Sequence, residues 1–191
     1  MKKGNTKSNI VTKSLNLFIT YGINAVRTED ISLHSGISKR TLYAHFKSKK
    51  LLVQDVILFQ IDLIRSQSNR IRMEHISAIE EFVALWNYAS TVTSAANPNF
   101  LRDLRRGYPI TWLVLTQFES EYRKDFLVAN LKRGIAQQVY RQGIDVEVIS
   151  HLWVSVMDFN IKKIESGSEI RSHFLRGLLT EKGASIINRQ N

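Results

Sequence analysis

The chain has 191 residues, of which 43% are hydrophobic and 23% charged, a composition that excludes a disordered protein. It has no cysteine, which excludes disulfide frameworks and cysteine-ligated metal sites. The formal net charge is +10, and residues 1–51 hold ten Lys and Arg against two acidic residues. This basic segment predicts a polyanionic partner for the N-terminal part, the alternative being a basic solvated surface with no partner.

Helical periodicity dominates the chain, and strand-like alternation is scarce. A first helix is predicted over residues 6–21, ended by Gly22 as a C′ glycine. We expect Thr28 to be the N-cap of a short second helix, Gly36 to supply a turn, and Ser38 to cap a third helix. Two short helices joined by a tight turn make a helix-turn-helix.

A fourth helix is predicted to begin near Ser48 and to run to about Met73. Proline and glycine breakers then separate five more predicted helices, over residues 76–96, 99–106, 111–140, 147–164 and 169–187. The sequence therefore predicts an all-α protein of about nine helices. We expect a helix-turn-helix head over residues 1–50 and a helical body over residues 51–191.

The predicted third helix has two distinct faces. Leu42 and Phe46 lie on one side and form a seam that we expect to be buried. Arg40, Thr41 and Ala44 lie on the outer arc. Arginine suits guanine O6 and N7 or a phosphate, threonine suits a base edge or a thymine methyl, and alanine allows close approach. This pattern indicates a helix that enters the major groove of DNA.

Other residues of the same segment are candidates for DNA contact. Tyr43 and His45 can reach phosphates through their polar tips, and Lys39 can reach either a base or the backbone. Lys49 and Thr28 stand in the first turns of their helices, where backbone N–H groups favour a phosphate. The alternative is an amphipathic hairpin with a solvated basic face. The tight turn, the basic outer arc and the segregated charge together favour DNA binding.

Residues 28–52, TEDISLHSGISKRTLYAHFKSKKLL, closely resemble the DNA-binding domain of TetR-type (TetR/AcrR) bacterial transcriptional regulators. In that family a three-helix head precedes a helical regulatory body. Ser32 and Ser35 stand where the family more often has alanine, and both are small enough for the helix packing. The resemblance implies a double-stranded DNA operator as partner. It implies DNA contact by Thr28, Lys39, Arg40, Thr41, Tyr43, His45 and Lys49, to which we add the cap Ser38.

The last two predicted helices carry apolar residues on more than one face, which predicts that they pack both on their own core and on a second copy. In the resembled family these helices form a four-helix dimer interface. The alternative is a fully internal helix. The predicted interface residues are Leu152, Val156, Phe159, Phe174 and Leu178.

The middle of the body is rich in aromatic residues, most of which we expect to pack a core. In TetR-type proteins helices of this region enclose an effector pocket. The resemblance implies a small-molecule effector, whose chemical class the sequence leaves open. The pocket is predicted to be lined by Trp86, Trp112, Gln117 and Tyr122.

Motifs of other protein classes are missing from the sequence. It has no nucleotide-binding glycine motif, G-x-S-x-G or H-E-x-x-H, so we expect no enzyme, no cofactor and no metal site. The longest apolar run is five residues, 82–86, far below the ~20 of a membrane span. The N-terminus lacks a signal-peptide pattern, and we expect a cytoplasmic protein without a membrane partner.

These observations predict a transcriptional regulator that binds a near-palindromic operator as a homodimer. We expect a repressor that a small-molecule effector releases from DNA. The alternative is a DNA-binding protein of the same fold whose body binds a protein partner or organises the chromosome.

Overall fold

The computed structural model describes residues 3–74, 77–158 and 167–188, with the side chains of residues 3–5, 93–95, 156–158, 167–168 and 188 left out. Within these ranges the chain forms ten helices and no strand, which confirms the all-α class. The helices are α1 (Lys3–Tyr21), α2 (Thr28–His34), α3 (Lys39–His45), α4 (Lys49–Glu74), α5 (Ala78–Ala95), α6 (Pro98–Gly107), α7 (Pro109–Ala136), α8 (Val146–Asp158), α9 (Gly167–Leu178) and α10 (Glu181–Asn188).

The chain folds into two compact units. The first consists of residues 1–66 and 94–118, and the second of residues 67–93 and 119–191. The predicted head, residues 1–50, lies within the first unit, which also takes in α6 and the beginning of α7. Each unit has its own cluster of buried apolar side chains.

Glycines end the helices of the head where the sequence predicts. Gly22 has a φ of +87° and its N–H donates to the carbonyl of Phe18 at 2.9 Å, which ends α1. Gly36 has a φ of +65° and forms the turn after α2. Because both positions require the left-handed region, a side chain at either would strain the backbone.

The caps of the two short helices differ in how well local sequence predicts them. At Ser38 the hydroxyl accepts a hydrogen bond from the Thr41 N–H at 3.1 Å, which confirms it as the N-cap of α3. The N-cap of α2, in contrast, is Arg27 and the prediction of Thr28 is wrong by one residue. The Asp30 carboxylate supplies the physical reason, since it accepts the Arg27 N–H at 2.7 Å.

Helix α6 is bonded to the turn that follows α1. The Asn97 N–H donates to the carbonyl of Ile19 at 2.8 Å. The buried Asp103 carboxylate accepts the N–H of Asn24 at 2.9 Å. A Cβ on Gly22 would lie 3.0 Å from the Cβ of Asn99. The first unit is therefore assembled from segments far apart in the sequence, with α6 satisfying the backbone at the end of α1.

The second unit contains a buried polar network around Glu81, whose side chain is 1% exposed. Its carboxylate accepts hydrogen bonds from Arg133, from Arg72 at 3.1 Å and from Asn130 at 2.8 Å. The Tyr140 hydroxyl donates to the Asn130 carbonyl oxygen at 3.1 Å, and burial raises the pKa of Tyr140 well above its usual range. The network ties α4, α5 and α7 together.

The two helices predicted over residues 111–140 and 169–187 end differently in the structure. Helix α7 stops at Ala136 and Gln138 has a φ of 59°. The segment after it pairs with residues that follow α9, where Thr180 N–H donates to Val139 O at 3.0 Å and Arg141 N–H donates to Leu178 O at 2.9 Å. This pairing breaks the predicted last helix into α9 and α10, so the described residues hold ten helices rather than about nine.

Candidate nucleic-acid interface

Helix α3 separates a buried side from an exposed side as the sequence predicts. Leu42 is 1% exposed and Phe46 is 4% exposed, and both pack into the core of the first unit. Arg40, Tyr43 and Ala44 are exposed on the other side. Because the apolar seam anchors the helix to the core, its polar side is held outward on a rigid support.

Four polar side chains of α2 and α3 contact one another on this exposed face. Lys39 forms an ion pair with Glu29, and the Thr28 hydroxyl donates to the other Glu29 carboxylate oxygen at 3.1 Å. The hydroxyls of Thr28 and Tyr43 are 3.4 Å apart. We call this set, Thr28, Glu29, Lys39 and Tyr43, the α2–α3 polar cluster. It brings three predicted DNA-contacting residues together with one acidic residue.

Glu29 is the member of the α2–α3 polar cluster that the sequence reasoning missed. Glu29 lies in the first turn of α2, where a negative charge is favourable. It also pairs with a lysine ten residues further along the chain. The hydrogen bond from Lys39 holds the pKa of the Glu29 carboxyl at about 2, below its ordinary value of 4.5, so the group stays ionised at mildly acidic pH as well.

The ammonium group of Lys49 contacts the loop between α1 and α2. The group donates to the carbonyls of Ile23 and Val26, each at 2.6 Å, and is half-buried. Burial lowers its pKa from the ordinary value. Two of the three lysine N–H donors are occupied by the loop between α1 and α2. This geometry indicates that Lys49 stabilises the loop, and we leave it out of the proposed phosphate contacts.

The remaining predicted residues of α3 lie at or near the surface. Arg40 is exposed, while Thr41 and His45 are half-buried. Lys47 follows the helix and is exposed. Within the part of the chain that the structure describes, neither Arg40 nor Lys47 makes an ion pair. Their charges are therefore available to an external anion.

The residues predicted for an effector pocket fall in both compact units. Trp112 and Gln117 belong to the first unit, and Trp86 and Tyr122 to the second. Trp86 is buried and packs on Trp153 with ring centroids 5.1 Å apart, as an ordinary core residue does.

A groove of about 650 Å³ lies in the second unit, between α5, α9 and α10. Apolar side chains and two arginines, Arg171 and Arg176, line it. None of the four residues predicted for the effector pocket is among its lining residues.

The residues predicted for a dimer interface are differently placed. Leu152 on α8 is 51% exposed, whereas Leu178 is buried in the core of the second unit. Phe174 is half-buried and packs on Trp153 and Phe82. Phe159 lies outside the residues that the structure describes, as does the side chain of Val156.

The described residues offer neither a metal-binding cluster nor a membrane-spanning helix. They contain no group of three or more His, Cys, Asp or Glu side chains arranged to hold a metal ion. None of the helices described is both long enough and apolar enough to span a bilayer.

The comparison with known proteins points to one family. Residues 10–56 match the model described as bacterial regulatory proteins, tetR family. The transcriptional repressor KstR2 of Mycolicibacterium smegmatis is 24% identical over 154 residues, which cover 73% of this chain and 72% of that protein. YerO of Bacillus subtilis, an uncharacterised transcriptional regulator, is 24% identical over 184 residues, which cover 90% of this chain but only 63% of YerO.

A solved structure shares the fold across nearly the whole chain. The TetR-family transcriptional regulator from Cytophaga hutchinsonii superposes with a TM-score of 0.74 at 14% identity, covering 95% of this chain and 98% of that one. The family match falls on the helices that carry the exposed face of α3, and the resemblance seen in residues 28–52 is confirmed. Residues 10–56, which include the helix-turn-helix, are therefore similar to the DNA-binding part of bacterial regulatory proteins of the TetR family, and the chain resembles transcriptional regulators of that type.

Proposed function

We propose that this chain represses transcription by binding a near-palindromic operator as a homodimer, and that a small-molecule effector releases it. The observation that carries the proposal is the exposed polar face of α3, where Arg40 and Lys47 hold charges without internal ion pairs among the described residues. Arginine on such a helix reads guanine O6 and N7. The relative KstR2 is named a transcriptional repressor, which supports repression as the outcome.

Dimerisation follows from the geometry of operator reading. One head contacts too few base pairs to select a single site in a genome, so two heads must bind successive major grooves. Val148 and Leu152 support self-association, since they are one helical turn apart on α8 and are 60% and 51% exposed. We assign the subunit interface to this face of α8.

Release by an effector requires that the body favour one of two arrangements of the paired heads. In the proposed mechanism a bound effector stabilises the dimer whose heads no longer match successive major grooves. Helix α4 connects Lys49, at the edge of the head, to Arg72 in the polar network of the second unit. We propose α4 as the element that carries the change.

The decisive experiment selects bound sequences from a random pool of duplex DNA with the purified full-length chain. The proposal expects a near-palindromic consensus whose half-sites are about one helical turn, 10–10.5 base pairs, apart. That result gives operator, dimerisation and spacing together. Recovery of sequences with no common pattern, at an affinity that depends only on salt, would reject sequence-specific regulation.

A second candidate function keeps DNA binding and replaces the effector by a protein partner. Ile110, Leu113 and Val114 on α7 favour it, because they form one apolar stripe and are 68%, 62% and 42% exposed. Replacing Leu113 by Glu distinguishes the two functions. A partner-binding stripe predicts lost regulation in cells with unchanged operator affinity in vitro, whereas the effector function predicts unchanged regulation.

A further inference from the structure

We propose that Glu29 restricts Lys39 to reading bases, by neutralising a lysine that would otherwise bind a backbone phosphate. The inference rests on the proposed DNA-binding function and concerns the same face of α3. From sequence alone, Lys39 can serve either role. The structure supplies the missing neighbour, a carboxylate on α2 that contacts the lysine ammonium group.

The ion pair lies on the exposed face rather than beneath it. The side chain of Lys39 is 54% exposed and that of Glu29 is 56% exposed. Isolated exposed ion pairs are weak because both side chains are mobile and solvated. Here Glu29 has a second anchor, since its other oxygen accepts the Thr28 hydroxyl at 3.1 Å. The carboxylate is thus fixed between two helices, and the lysine is drawn toward it.

Charge decides what the held lysine can bind. When a lysine neutralises a DNA phosphate, the counterion of that phosphate is released, so the affinity of the complex falls as salt is added. Lys39 already has a counter-charge in Glu29, and the carboxylate also repels a phosphate brought close to it. One of the three ammonium donors serves Glu29, which leaves two for acceptors on a base edge such as guanine O6 and N7.

The position on α3 agrees with this assignment. Lys39 is the first residue of the helix, and residues at the beginning of a recognition helix contact base edges. Arg40 and Lys47 are exposed and make no ion pair among the described residues, so both retain their full charges. This surface thus combines Arg40 and Lys47, which make no ion pair among the described residues, with Lys39, whose charge is neutralised by Glu29. Only the uncompensated charges are expected to contribute to the salt dependence.

The test measures affinity against salt for the full chain, using the selected operator and a random duplex of equal length. Glu29→Gln frees Lys39 for one more phosphate contact per head. We expect the slope of log affinity against log salt to steepen by about 0.9 per head, which is about a threefold greater loss between roughly 50 and roughly 200 mM salt. Affinity for the random duplex should rise and operator preference should fall.

Glu147→Gln is the matched control. Glu147 is 63% exposed and pairs with Lys124 at 3.1 Å in the second unit, so the same charge change occurs away from α3. Its slope should equal that of the unmodified chain. The double variant Glu29→Gln with Lys39→Ala should also return to that slope, because the freed lysine is gone.

Lys39→Ala alone provides a test that does not depend on Glu29→Gln folding. We expect reduced operator preference with an unchanged salt slope. A slope made shallower by about 0.9 per head in this variant, or an unchanged slope in a folded Glu29→Gln protein, would overturn the inference while leaving regulation by DNA binding intact. If the unmodified chain shows no sequence preference, the proposed function fails and this inference fails with it.

Discussion

The two compact units use a glutamate and a basic partner in opposite ways. In the first unit, Glu29 and Lys39 meet on the surface, where each side chain is more than half exposed. In the second, Glu81 is 1% exposed and accepts from Arg72, Arg133 and Asn130. Glu29 and Lys39 can each form new contacts with a ligand, because both side chains are exposed. The Glu81 carboxylate is buried, and it accepts its hydrogen bonds from residues of the second unit.

This difference separates charged residues that stabilise the fold from charged residues that an external partner can bind. Removing one partner of a buried ion pair leaves the other without compensation, which is costly. An exposed pair in water has little net energy, so it can be rearranged without loss of the fold. The Glu29–Lys39 pair therefore keeps its charges accessible to a partner, whereas the charges of the Glu81 network connect α4, α5 and α7.

The largest effect is expected at Glu81. Replacement by alanine leaves Arg133 and Arg72 without the carboxylate that pairs with them, while Asn130 keeps the Ala78 carbonyl as acceptor. We expect the free energy of unfolding to fall by about 3–5 kcal/mol. Chemical denaturation measures the change. Glu147→Ala is the control, since its exposed pair with Lys124 should contribute little. A Glu81→Ala protein as stable as this control would remove the distinction between the two units.

The next effect is on binding rather than folding. Arg40→Ala should cost about 1–3 kcal/mol of operator discrimination, because an exposed base-reading guanidinium is lost. Thermal unfolding should be unchanged, since the residue has no ion pair among the described residues. Arg40→Lys separates charge from geometry by keeping the charge and removing the bidentate fork. Unchanged discrimination in Arg40→Ala would exclude it from base reading.

Substitution of Lys49 tests whether a basic residue of the head stabilises the fold rather than contacting DNA. Its ammonium group satisfies the carbonyls of Ile23 and Val26, so Lys49→Ala should lower the free energy of unfolding by about 1–2 kcal/mol. The salt slope of DNA binding should not change. Lys132→Ala, at an exposed lysine of α7, is the control with equal charge change. A shallower slope with unaltered stability would restore the phosphate role that the sequence suggested.

The smallest effect concerns the acid dependence of the surface pair. The pKa of Glu29 in the folded chain is about 2, against an ordinary 4.5. A depressed carboxyl pKa stabilises the folded state above the unfolded-state value, and this contribution is lost as the pH falls from about 4.5 toward 2. Carboxyl chemical shifts in an NMR titration report it. In Lys39→Ala the pKa should rise toward its ordinary value, and an unmoved pKa would contradict the ion pair.

Local signals explain what the sequence could predict. The N-cap at Ser38, the glycine ends at Gly22 and Gly36, and the seam of Leu42 and Phe46 all depend on residues within about one helical turn. These features fixed the helix-turn-helix and the exposed face of α3. The bounds of these short helices were accordingly predicted to within one residue, the N-cap of α2 being Arg27 rather than Thr28.

The features that sequence reasoning missed depend on contacts between distant residues. Lys49 bonds to carbonyls 26 and 23 positions earlier, and Asp103 accepts from Asn24 across 79 positions. The break between α9 and α10 comes from pairing of Thr180 with Val139. No periodicity along one segment contains this information, because the competing partner lies elsewhere in the chain.

The bonds from α6 to the end of α1 bear on how this protein can be divided or recombined. A fragment ending after α4 would leave the carbonyl of Ile19 and the N–H of Asn24 without Asn97 and Asp103. Grafting residues 1–50 onto the body of a relative would remove the same partners. The part of the chain that must be kept together for the DNA-binding domain to fold is thus larger than the segment proposed to contact DNA. Residues of α6 should therefore coevolve with the turn after α1.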